Sequence, residues 1–178
     1  MKTLELKDIC GYLPYGLKFL SDYFSTPHEI VSIDLTDNTA DFSNNCGYTN
    51  KSLGEVKPIL RPMSDLTKEI THRGEKFVPL VELAKIALRD AIAKRYYNDV
   101  DFVIKNDYVE IHGHYKFRYT HRGSFEMCRT ISDFDELTCL HQCEIFDKLN
   151  EWMFDYRGLI SAGLAIDVNT LPENPYEL

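Results

Sequence analysis

Apolar residues recur every three and four positions at Leu80, Leu83, Ala84, Ala87, Leu88 and Ala91. That period lays them in one stripe and predicts an amphipathic helix over about 80–97, stopped by Asn98-Asp99. A second stripe, Ile145, Leu149, Trp152, Met153 and Tyr156, predicts a helix over 133–156. Ser132 and Asp135 stand at its start as an approximate capping box. Gly158 and Gly163 break any regular element beyond it, and Pro172 and Pro175 predict an extended tail.

Elsewhere the period is two. Phe102–Lys105 reads as a strand that turns at Asn106-Asp107 into one long strand, Tyr108–Thr120. Tyr115, Phe117 and Tyr119 fall on one face of it, Lys116 and Arg118 on the other. Arg122-Gly123 turns the chain again into Phe125–Ile131. Towards the N-terminus, a helical turn or two around Lys7–Leu13 precedes a turn at Pro14-Tyr-Gly16. Short strands follow at 17–20, 29–35 and 39–42, the last two joined by Thr36-Asp-Asn38. Asn44–Asn50 reads as a loop. Val56–Leu60 is strand-like, with Pro58 placing it at an edge or an end. Between 64 and 78 two readings stay open. Ser64 can cap a short helix through Ile70, or Lys68–Thr71 can pair with Lys76–Val78 across His72-Arg73-Gly74. Thr-His-Arg-Gly occurs at 71–74 and at 120–123, both at predicted turns. Helices and antiparallel hairpins in separate blocks predict the α+β class, a β-meander packed with the two main helices. A length of 178 residues suits one such domain, 1–178.

Charge sharpens this picture at one place. From Asp133 to Leu178 ten acidic side chains face only Lys148 and Arg157, while residues 1–132 carry eighteen of each sign. The whole net charge of −8 therefore belongs to the final 46 residues. Such an end suits a partner with a basic surface, although plain solubility explains the same acidity. It argues against direct nucleic-acid binding, which needs clustered Lys and Arg. No stretch approaches the roughly 18 consecutive apolar residues of a membrane span, and acids interrupt the first residues where a signal peptide is apolar. These features predict a cytoplasmic protein. Its five cysteines are scattered without a Cys-x-x-Cys pair, and read as free thiols.

Candidate chemistry is sparse. On one continuous strand Glu110, His112 and His114 would share a face, a partial ligand set for zinc or iron in a small metal-dependent enzyme. The plainer reading is a solvated strand face continuing into Lys116 and Arg118. Cys139, His141 and Cys143 cannot converge on one ion from an intact helix, because His141 points away from the other two. Cys128 beside a histidine-bearing strand has no local signature of a thiol nucleophile. Gly11 and Gly16 lack the Gly-Lys-Ser/Thr ending of a phosphate loop. Around the predicted helix end, Glu151, Phe154, Asp155 and Arg157 combine an aromatic, acids and an arginine, the usual anchors of a protein interface. Trp152 and Tyr156 belong to the inward stripe, which leaves Phe154 as the candidate anchor. No cofactor is expected on this reading.

Three blocks carry a resemblance: Asp8-Ile-Cys-Gly-Tyr-Leu-Pro-Tyr-Gly-Leu-Lys18; 57–70 with 74–79; and Leu149-Asn-Glu-Trp-Met-Phe-Asp-Tyr-Arg-Gly-Leu-Ile160 with 163–171. Together they resemble a widespread group of small, uncharacterised proteins encoded in phage and prophage regions of gut anaerobic bacteria. The resemblance implies a mobile-element setting and an accessory role in infection or lysogeny, and it assigns no catalytic or binding residue. The function expected is protein–protein interaction through the acidic C-terminal region, as an inhibitor or charge mimic, with the metal-dependent enzyme as the alternative.

Overall fold

The computed structural model describes residues 3–23, 26–44, 47–93, 101–111, 115–120, 122–129, 132–137 and 141–177. In chain order the elements are α1 (Leu6–Ile9), β1 (Lys18–Leu20), β2 (His28–Asp34), β3 (Thr39–Asn44), β4 (Gly47–Ser52) and β5 (Lys57–Leu60). Next come β6 (Ile70–His72), β7 (Glu75–Phe77), α2 (Pro79–Ala93), β8 (Phe102–Ile104), β9 (Tyr108–Ile111) and β10 (Tyr115–Tyr119). The chain closes with β11 (Phe125–Arg129), β12 (Ser132–Leu137), α3 (Gln142–Glu151) and β13 (Ile166–Asp167). The class is α+β, with mostly antiparallel sheets, β13 alone pairing parallel to β5 among the described strands, and the two main helices α2 and α3. Two compact units result. The first joins residues 1–63 to 149–178, and the second is 64–148.

In the first unit the sheet order is β13-β5-β1-β2-β3-β4. Alternation along β3 explains its faces: Ala40 and Phe42 are buried, while Asp41 bonds with Ser32 and Asn50 on the other face. Phe19 of β1 meets Phe42 edge to face at 5.6 Å, and Tyr12, Leu53, Ile59, Leu60 and Met153 complete the same core. Residues 47–50, read from sequence as loop, pair in register with β3 from Asn44↔Gly47 to Thr39↔Ser52. Few of those residues are apolar, so strand pairing rather than side-chain pattern makes that strand. Pro58 stands second in β5. Its strand has neighbours on both sides, but the two-residue β13 pairs only with Ile59 and Leu60. Pro58 faces Phe19 of β1 and has no partner in β13, so on that side its missing N–H leaves no ladder bond unmade.

Residues 149–160 lock onto this sheet. Arg61 N–H donates to the Met153 carbonyl at 2.6 Å, and Asp155 N–H to the Arg61 carbonyl at 2.8 Å, forming a parallel bridge between Arg61 and Phe154. The buried Tyr12 hydroxyl donates to the Phe154 carbonyl at 2.8 Å. At the chain end Tyr176 is buried: its hydroxyl donates to the Ile59 carbonyl (2.9 Å) and accepts from Lys18 N–H (3.0 Å). The proline-flanked tail therefore tucks in, with Tyr176 tying β1 to β5. Asp167 accepts from Asn169 N–H at 2.9 Å and caps the short turn Val168–Thr170.

In the second unit the open question over 64–78 resolves as one tight turn at Met63–Asp65 followed by the β6–β7 hairpin. Arg73 and Gly74 both have positive φ, 50° and 78°, as a two-residue type I′ connection requires. Gly123 (φ 78°) turns the second Thr-His-Arg-Gly copy. The five-stranded sheet runs β12-β11-β10-β9-β8, with α2 against β9 and β10. Leu80, Leu83, Ala84, Ala87 and Leu88 are buried as their stripe predicts. The expected single strand Tyr108–Thr120 is two antiparallel strands, β9 and β10, paired from Ile111↔Tyr115 to Tyr108↔Arg118. Phe117 of β10 stacks on Phe125 at 5.4 Å, and Phe125 meets Phe146 of α3 edge on at 6.0 Å.

The helix expected over 133–156 is less than half as long. Residues 132–137 form β12, bonded to β11 through a bulge at Cys128/Arg129, and the helix proper is Gln142–Glu151. Of the predicted stripe only Ile145 and Leu149 lie within it; Trp152, Met153 and Tyr156 follow its end. Met153 (φ 62°) turns the chain out of the helix before Phe154.

Candidate interaction surface

The four residues expected to form an interface separate sharply. Glu151 closes α3 half-buried, and Arg157 is exposed. Phe154 is 0% exposed and Asp155 6%, so neither can anchor an outside protein. The helical wheel that placed Phe154 outward does not apply past Glu151, where the chain pairs with Arg61 instead. Asp155 serves the fold from within. Its carboxylate accepts from Leu159 N–H (2.8 Å) and Ile160 N–H (2.7 Å), capping the next turn of the chain. Trp152 and Met153 are buried, as the stripe predicts.

The acidic end is divided between the two units. Residues 133–148 fold with the second, which carries fifteen acidic and thirteen basic side chains. There Glu144 accepts from the Arg89 guanidinium with both oxygens at 2.8 Å. Residues 149–178 fold with 1–63, and that unit carries thirteen acidic against seven basic side chains, a net of −6. Among its described residues eight acidic side chains are exposed against three basic ones. Asp41, held by hydrogen bonds from Ser32 and then Asn50, has its carboxyl pKa lowered and stays ionised on the open sheet face.

A groove of about 670 Å³ opens in the first unit, lined by Leu20, Asp22, Tyr23, Glu55, Lys57 and Ile166 among others. The Lys51 ammonium lies 3.4 Å from the centre of the Tyr23 ring. The lining carries two carboxylates, Asp22 and Glu55, and one ammonium group, Lys57. Sequence reasoning missed Arg61, Tyr12 and Tyr176 because their partners are more than a hundred residues away or are backbone atoms. Around Tyr176, Pro172 and Pro175 predict only an extended tail.

Of the metal candidates, Glu110 lies on β9, paired with Lys116 and Val103. His112 and His114 lie outside the described residues, and the continuous strand meant to align them ends at Ile111. Among the described residues no group of three His, Cys, Asp or Glu side chains is placed to hold a metal. Cys143 is exposed and Cys128 buried, whereas Cys139 lies outside the described residues. Among the described residues no helix is long and apolar enough to cross a membrane. The chain matches no protein-family model, no curated protein and no solved structure.

Proposed function

We propose that this is a cytoplasmic accessory protein of a phage or mobile element that binds another protein bearing a basic surface. The observation that carries the reading is the excess of exposed acids on the first unit, eight to three among described residues. A surface of one sign steers an oppositely charged partner and rejects like-charged ones. The same field presents a nucleic-acid-like potential, so the partner class includes basic proteins that bind nucleic acid, which this protein would inhibit by occupying their cationic face.

The test is capture from lysogenic host cells at low and high salt, comparing the native chain with an Asp22→Lys, Asp37→Lys, Glu173→Lys, Glu177→Lys variant. These four exposed acids take the unit from −6 to +2 without touching its core. Expected is a partner held by the native chain, released by salt and lost in the variant at unchanged melting temperature. A partner that survives the reversal at high salt overturns the reading.

A further inference from the structure

We propose that the protein associates with a second copy of itself through the open edge of β8, in antiparallel pairing about a two-fold axis at Val103. Among the described residues β8 is an outer strand of its sheet, bonded only to β9. Its Val103 and Ile104 are 47% and 42% exposed, an apolar pair on an edge that proteins ordinarily blunt. The direction of its backbone groups is set by Lys105 N–H, which donates inward to the Tyr108 carbonyl at 2.9 Å. Alternate residues of a strand point their amides to opposite edges, so Val103 also bonds inward, while Phe102 and Ile104 aim theirs outward.

A two-fold axis at Val103 sets Phe102 opposite Ile104 of the second copy, and Ile104 opposite its Phe102. Each pair exchanges two backbone bonds, satisfying the outward groups in both copies. Val103 then faces its own counterpart. The flanking residues decide the occupant: Asp101 falls opposite Lys105 of the second copy, and Lys105 opposite its Asp101. The segment Asp-Phe-Val-Ile-Lys is thus self-complementary in charge when read antiparallel. Shifting the axis to Ile104 also aligns the backbone groups, but it sets Asp101 opposite Asp107 and Lys105 opposite Val103. Asp101 and Lys105 are both exposed and available for this pairing. So short an edge buries little area, so the dimer is weak and concentration-dependent. It involves the second unit alone and is independent of the acidic surface.

Sedimentation velocity from micromolar to millimolar protein is the measurement, with circular dichroism to check folding. The native chain should shift from monomer to dimer over that range. Asp101→Lys alone, or Lys105→Asp alone, should weaken association by about tenfold or more, since each replaces two attractions with two repulsions. Mixing these two single variants should restore a dimer, because each new lysine then meets an aspartate. The Asp101→Lys, Lys105→Asp double variant should dimerise as the native chain does. A native chain that stays monomeric at millimolar concentration overturns the proposal. So does a single variant that dimerises unchanged, or a double variant that folds and remains monomeric.

Discussion

Residues 133–148 and 149–178 look alike in sequence, both acidic and nearly without bases, yet they end in opposite electrostatic settings. The first stretch joins a unit with thirteen bases and lends Glu144 to Arg89, so its acids are largely offset. The second joins residues 1–63, already short of bases, and deepens their imbalance. Charge density along a chain is therefore not charge density on a surface; the partners chosen by folding decide it. The same contrast separates buried from displayed side chains. Phe154 and Asp155 hold the fold, whereas Glu173 and Glu177 face water.

Four substitutions would break or sharpen that comparison. Phe154→Ala empties a fully buried site beside the Arg61 bridge and should destabilise the protein by about 3–5 kcal/mol, read by chemical denaturation. A loss below about 1 kcal/mol would mean that Phe154 is a surface residue after all. Asp155→Ala strips the acceptor from the Leu159 and Ile160 amides and should cost about 2–3 kcal/mol, well above Glu151→Ala at the helix end.

Tyr176→Phe leaves the Lys18 amide and Ile59 carbonyl without the hydroxyl and should cost about 1–2 kcal/mol at neutral pH. It should also change the alkaline profile. Burial raises the Tyr176 phenol above its ordinary value of 10.0, so the folded state resists ionisation while the unfolded chain ionises freely. The stabilisation is thus fully present below pH 10 and falls away as pH rises beyond it. The Tyr176→Phe variant should decline less steeply there, as thermal melts across alkaline pH would reveal. Glu144→Gln should matter least, under about 1 kcal/mol, because the pair with Arg89 is exposed.

Much of the fold was readable from periodicity. The α2 stripe, the β8–β9 turn at Asn106-Asp107 and the alternation of Phe117 against Arg118 all follow from local pattern. Where the pattern misled, a distant partner had the deciding vote. Residues 132–137 pair with β11, and residues 47–50 with β3, although neither segment alternates cleanly. Phe154 was placed on a helical face that stops three residues earlier. The acidic region was legible as composition, but its division between two units was not, because that depends on which sheet each segment joins.

Interleaved connectivity has a consequence for synthesis. Residues 64–148 are contiguous, so all the strands of that unit can find their partners once they leave the ribosome. Strands β1 to β5 emerge first and can pair with one another, but the amide of Arg61 and the carbonyl of Ile59 meet their partners only when Met153 and Tyr176 arrive. The part made earliest is the part finished latest, and premature termination anywhere upstream of Tyr176 should leave a nascent sheet without its clasp.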